Sequence, residues 1–179
     1  VLFDAFAHGV DVSVQALTKF VGGHSDVLLG SISVADDDAY ARVGTAHRVI
    51  GMAVSPDDCA LALRGLQTLG VRLERLERST LQVAEWLRAR PEVATVLHPA
   101  FPDCPGHEFW RRDFTGSSSV FSIVFTDDWP AERVARFVDG LGVFRLGFSW
   151  GGVTSLVMAY QDSVRLGPDL GARLVRLNV

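Results

Sequence analysis

Val10, Val12 and Val14 alternate with Asp11, Ser13 and Gln15, the period of two that sends successive side chains to opposite faces of a half-buried strand. A second aliphatic run over residues 27–34 predicts a second strand. Three aspartates at 36–38 precede residues 39–50, and carboxylates at a helix start suit its dipole, so a helix is expected there. A clearer start lies at Ser55-Pro56-Asp57-Asp58: serine as cap, proline at the first helical position, acids in the first turn. From there the period becomes helical. Leu66, Leu69, Leu73, Leu76, Thr80, Val83 and Leu87 recur at steps of three and four, forming one stripe along a long helical region that Pro91 ends. Fewer than four heptads and no ordered flanking charge favour a helix packed on its own core over a coiled-coil seam. Gly65 and Gly70 permit close packing or a local break.

Beyond Pro91 the period returns to two. Residues 94–98, 118–125, 143–148, 154–160 and 172–179 read as strands, and 131–139 as a helix closed by Gly140. A small sheet covered by helices on one face is expected. The loop over 99–116 is rich in proline, glycine and aromatic residues, and residues 1–7 form a short apolar lead into the first strand.

The 179 residues are 48% hydrophobic with both charge signs dispersed, enough to bury a core. A net charge of −4, with no basic run, argues against nucleic acid as a partner. No apolar stretch approaches the roughly twenty residues of a membrane span, and no signal-peptide pattern opens the chain, so a cytoplasmic protein without a membrane partner is expected. Cys59 and Cys104 are expected to be reduced. His98, Cys104 and His107 share one loop, but their spacing matches no common zinc site and no fourth ligand offers itself, so no metal is expected. The chain begins at Val1 rather than methionine, and residues 172–179 alternate like a strand that stops without a cap. A fragment is the expectation.

Candidate chemistry starts at Lys19. Of seventeen lysines and arginines it is the one lysine. Arginine stays protonated, whereas a lysine amine can act as base or condense with an aldehyde; composition alone allows a leftover surface lysine equally. Lys19 follows a strand and precedes Gly22-Gly23, where the chain can turn sharply. His24, Ser25 and Asp26 are placed to orient that loop, His24 more in a structural role than as a base. Gly147-Phe148-Ser149-Trp150-Gly151 satisfies G-x-S-x-G, the nucleophile elbow of serine hydrolases. All five histidines precede Ser149, however, and a strand rather than a helix is expected after it, so a hydrolase using Ser149 is a distant alternative. Arg176 lies on the opposite face of its strand from Val175, Leu177 and Val179 and by pattern alone is a surface arginine.

Ser13-Val14-Gln15-Ala16-Leu17-Thr18-Lys19-Phe20, followed by Gly23-His24-Ser25-Asp26, resembles the lysine loop of the pyridoxal-phosphate enzymes of cysteine and methionine metabolism. Residues 64–72, 106–110 and 112–118, and Ser149-Trp150-Gly151-Gly152, carry the likeness through the chain, toward the branch that cleaves cystathionine by β-elimination. The resemblance implies an α/β fold of the fold-type I pyridoxal-phosphate transferase kind. Residues 1–55 would end the large cofactor domain, and 56–179 would hold a long linking helix and a smaller, truncated C-terminal α/β domain with an antiparallel sheet. It implies pyridoxal 5′-phosphate held by Lys19, a phosphate contact from Thr18, and a small amino-acid substrate whose α-carboxylate is gripped by Ser149, Trp150 and Arg176. Ala16 departs from the serine of γ-acting members, which puts one phosphate contact in doubt. The aspartate that pairs with the pyridine nitrogen and the ring-stacking tyrosine have no counterpart in this chain. A homotetramer is implied, with a neighbouring subunit adding phosphate contacts. The implied reaction, a step of methionine biosynthesis, yields homocysteine, pyruvate and ammonia from cystathionine. A γ-acting synthase or lyase, disfavoured by Trp150 where those carry leucine, and a non-catalytic fragment are the alternatives. About half of the parent enzyme would lie upstream, and the chain alone is expected to be inactive.

Overall fold

The computed structural model describes residues 2–160 and 170–179; of the apolar lead, Val1 lies outside the described residues. After a 3-10 turn at Phe6–His8, strands β1 (Val12–Ala16) and β2 (Gly30–Val34) form an antiparallel ribbon with Val14 opposite Ile32. Helix α1 (Asp37–Ile50) starts where the Asp36 carboxylate accepts the Ala39 N–H at 2.7 Å. Helix α2 (Pro56–Gln67) starts where the Ser55 hydroxyl accepts the Asp57 N–H. Both side chains satisfy amides that a helix leaves unpaired at its start. Helix α3 (Leu69–Arg88), strand β3 (Val93–Leu97), helix α4 (His107–Asp113), strand β4 (Val120–Phe125) and helix α5 (Ala131–Asp139) follow. Strands β5 (Arg145–Leu146), β6 (Leu156–Ala159) and β7 (Leu174–Asn178) complete the chain.

The five later strands make one sheet in the order β3-β4-β7-β6-β5. It is antiparallel except at its edge, where β5 runs parallel to β6. Ala84 and Leu87 of α3 and Val134 and Val138 of α5 cover one face, packing on Phe121, Ile123, Val157, Val175 and Leu177. Helices on one face of a small sheet is the expected arrangement. The other face of β7 carries Arg176, opposite Ser122 and Met158, and Asn178.

Four features differ from expectation, the first being that helix α4 forms inside the stretch 99–116 expected as a loop. The long helical region breaks at Thr68, because the Gly65 carbonyl that would accept the Leu69 amide instead takes the Thr68 amide, the Thr68 hydroxyl and the Arg72 guanidinium. Leu66 thereby leaves the stripe and is 52% exposed. The strand expected over 143–148 shortens to Arg145–Leu146, an edge held by one neighbour. In the β1-β2 ribbon Val14 is 72% exposed rather than half buried, as is Ile32 opposite it at 52%. A second small cluster of Val21, Leu69 and Leu73, joined by Leu2, Leu17 and Phe20, fastens the segment after β1 to α3. Cys59 and Cys104 are free, and no helix among the described residues is long and apolar enough to cross a membrane.

Candidate active site

Lys19 stands in a tight turn just after β1. Its amide donates to Ala16 O, Gly22 N–H to Leu17 O at 2.7 Å, and Gly23 N–H to Lys19 O at 2.8 Å. The turn requires glycine at 22: a Cβ there would lie 2.7 Å from Val27 Cγ1 and 2.9 Å from Leu17 O, well inside contact distance. The Thr18 hydroxyl donates to Leu29 O at 3.2 Å and accepts Leu29 N–H at 3.0 Å, so it stitches the turn to the residue before β2. His24 Nδ1 is 2.7 Å from Gly22 O, and Asp26 pairs with Arg64 of α2 at 3.0 Å. Both orient the loop, and His24 is structural.

The opposing wall comes from about 130 residues later. Arg176 donates through Nη2 to Phe148 O at 2.6 Å and Gly147 O at 3.3 Å, fixing the segment that leads into residues 149–152. Two residues along β7, the buried Asn178 amide accepts Gly151 N–H and the Ser119 hydroxyl and donates to Thr154 O. Gly151, at φ 72°, is pressed so close that a Cβ would lie 2.8 Å from Phe20 N and 3.1 Å from Lys19 C. This contact brings the two segments together. Lys19 Nζ donates to Ser149 Oγ at 2.9 Å and lies 4.7 Å from the centre of the Trp150 ring, while Arg176 Cζ lies 5.6 Å from the same ring. Two cations therefore share one indole, and among the described residues neither is paired with a carboxylate. Such a site suits an anionic ligand such as a carboxylate or phosphate.

A cavity of about 420 Å³ adjoins the lysine, lined by Gln15, Ala16, Lys19 and Trp150 and by apolar groups including Trp110 and Phe114. That volume is within the range of small-molecule sites. Thr18, Ser149 and Arg176 border the constellation without lining the cavity. The Ser149 hydroxyl serves as acceptor for Lys19, and β6 rather than a helix follows it, so the G-x-S-x-G match has no nucleophile-elbow geometry.

Sequence reasoning missed Arg72 and Asn178. Arg72 of α3 donates to Phe20 O, Val21 O and Gly65 O. Arg72 closes the stretch 64–72 that carries the family likeness, but nothing in it assigns the residue a role; for Asn178 the signal in the sequence is the polar pair Arg176 and Asn178 at i and i+2 on a strand otherwise apolar.

A family model described as Cys/Met metabolism PLP-dependent enzyme matches residues 1–169. The chain belongs to this family. It is 44% identical over 161 residues to a cystathionine beta-lyase of Haemophilus influenzae, covering 90% of this chain and 40% of that protein. It is 42% identical over 185 residues to a cystathionine beta-lyase of Escherichia coli, covering 100% of this chain and 47% of that protein. The crystal structure of cystathionine gamma synthase from Xanthomonas oryzae pv. oryzae in complex with aminoacrylate and cysteine superposes with a TM-score of 0.88 at 30% identity, over 99% of this chain and 48% of that one. The chain thus spans less than half the length of these relatives. Membership of the Cys/Met metabolism family brings pyridoxal 5′-phosphate as cofactor and the α/β fold of these enzymes. The residues present fit that cofactor: an aldehyde can meet the one lysine of the chain in the lining of a cavity, beside an aromatic face.

Proposed function

We propose that the protein carrying this chain is a carbon–sulfur lyase that cleaves cystathionine by β-elimination to homocysteine, pyruvate and ammonia. The observation that carries the reading is the convergence of Lys19, Ser149, Trp150 and Arg176 from two distant segments. Lys19 would hold the cofactor, and its free amine would take the proton from the substrate Cα. Ser149 accepts a hydrogen bond from Nζ and so directs the amine. Trp150 excludes water from one side of it. Arg176 grips the α-carboxylate: its bonds to the described residues all use Nη2, and among those residues Nε and Nη1 are left for a planar, two-point contact. Thr18, whose hydroxyl donates to Leu29 O in this structure, would supply a contact to the cofactor phosphate. Bound pyridoxal 5′-phosphate supplies an electron sink for the charge left at Cα.

The division near residues 55 and 56, a homotetramer in which a neighbouring subunit adds phosphate contacts, and a cytoplasmic location belong to the same proposal. Sedimentation of the holoenzyme tests the tetramer. Product analysis with cystathionine tests the reaction: pyruvate with homocysteine is expected, whereas cysteine with 2-oxobutanoate would assign the protein to γ-elimination.

A further inference from the structure

Arg72 makes four hydrogen bonds, all to neutral acceptors. Nη1 donates to Phe20 O at 2.7 Å, Nη2 to Val21 O at 3.2 Å and to Gly65 O at 2.7 Å, and Nε to the Thr68 hydroxyl at 3.0 Å. Among the described residues no carboxylate pairs with it. A guanidinium drawn out of water without a counter-ion is costly unless fixed dipoles replace its hydration, and burial duly holds its pKa below the usual arginine value. The dipoles that replace that hydration include the two peptide carbonyls directly after Lys19. Glycine makes the approach possible on each side. A Cβ on Gly23 would run into the guanidinium, and one on Gly65 into the Val21 and Gly22 carbonyls. With Gly151 pressing on the Lys19–Phe20 peptide from the other segment, the turn that bears Lys19 is clamped from two directions.

We propose that Arg72 is a positioning residue, whose planar fork fixes the Phe20 and Val21 peptides and thereby sets where Lys19 Nζ stands against Ser149 and Trp150. A lysine at 72 keeps the charge, but one ammonium cannot replace a rigid fork aimed at three carbonyls of two segments. The catalytic consequence rests on the function proposed above; the geometric one does not.

The test uses the whole protein freed of its cofactor, so that the Lys19 amine is open to reductive 13C-dimethylation along with the other lysines, the Lys19 signal being assigned by its loss in Lys19→Arg. Because Nζ lies 4.7 Å from the Trp150 ring centre, the ring current moves the Lys19 methyl protons upfield. In Arg72→Lys that shift is expected to collapse, and in unmodified enzyme kcat falls by about 100-fold while KM changes little, as for an angstrom-scale misplacement of a reacting group. Gly23→Ala, which displaces the guanidinium from the opposite side, gives the same loss of shift, so the outcome does not hang on one variant. Leu87→Ala, buried in the main core, lowers the melting temperature but retains the shift and kcat. An unchanged Lys19 shift in both Arg72→Lys and Gly23→Ala, or an equal loss in Leu87→Ala, overturns the proposal. Collapse of the shift in an enzyme that makes no pyruvate supports the positioning role and refutes the lyase reading instead.

Discussion

At the scale of single residues, the roles of Lys19 and Arg176 separate cleanly. Lys19→Arg keeps a cation near Ser149 but cannot condense with an aldehyde, so turnover is lost; borohydride reduction of the loaded wild type followed by peptide mapping should place the pyridoxyl group on Lys19, and a label found only elsewhere ends the assignment. Arg176→Lys replaces a fork by a point charge and should weaken substrate binding by about 1–3 kcal/mol with cofactor absorbance intact; loss of cofactor with unchanged substrate affinity would remove Arg176 from the carboxylate. His98 makes a different prediction. It is 1% exposed, its Nδ1 accepts Ala100 N–H, and its Nε2 has no partner among the described residues. Burial holds its pKa below the usual histidine value, opposed in part by the charge of Glu77. The unfolded chain therefore takes up the proton first as pH falls below about 6.5, and folding stability drops with it. Urea midpoints at about pH 7.5 and about pH 5.5 should differ more in the wild type than in His98→Phe; equal slopes would mean His98 is not the source. Lys19 stands out in the sequence as the one lysine, whereas Ser149 and Arg176 are singled out by the family resemblance, since by pattern alone Arg176 is a surface arginine. Arg72 and Asn178 are not legible there, since their partners are backbone groups of segments that meet only on folding.

At the scale of elements, what was legible followed from periodicity and caps. Ser55-Pro56 and Asp36 start the expected helices, and β4 and β7 form inside the runs read as strands, although neighbouring residues on both are buried rather than alternating. The break at Thr68 was hidden because a leucine stripe continues across it. Its cause is the capture of one carbonyl by a distant guanidinium, which leaves no trace in hydrophobic period. Gly65 is the testable hinge of that junction. A methyl group there meets backbone oxygens rather than a movable side chain, so Gly65→Ala should destabilise the protein by about 1–3 kcal/mol, as overpacking does, despite alanine's better helix propensity. Gly70→Ala is the control, since nothing lies within contact of a Cβ there, and it should be neutral or stabilising. A Gly65→Ala melting temperature equal to or above wild type would show that the turn and α2 can part without cost.

At the scale of the whole molecule, the apolar interior is unevenly divided. The main cluster, from Ala84 to Leu177, lies entirely beyond residue 56, whereas Val21 is the one buried residue that the first 55 residues add to the smaller cluster with Leu69 and Leu73. The β1-β2 ribbon has one hydrogen-bonded neighbour per strand and leaves Val14 and Ile32 exposed. β4 and β7 are each flanked on both sides and covered by α3 and α5. Local opening follows buried apolar contact and ladder position, so in the 179-residue chain amides of β4 and β7 should exchange with solvent only on global unfolding, and those of β1 and β2 much sooner. The uncovered ribbon edges should also promote self-association as concentration rises. The Lys19 turn sits between these regimes: its residues belong to the weakly held part, yet Arg72 and Gly151 tie it to the strongly held part. Its amides at Gly22 and Gly23 should therefore exchange more slowly than those of β1 itself, although the turn is loop and β1 is strand. Hydrogen exchange followed by mass spectrometry distinguishes the cases. Protection of β1 equal to that of β7, or a Lys19 turn that exchanges faster than β1, would show that the reactive lysine is held by its own ribbon rather than by the sheet on which Arg176 lies.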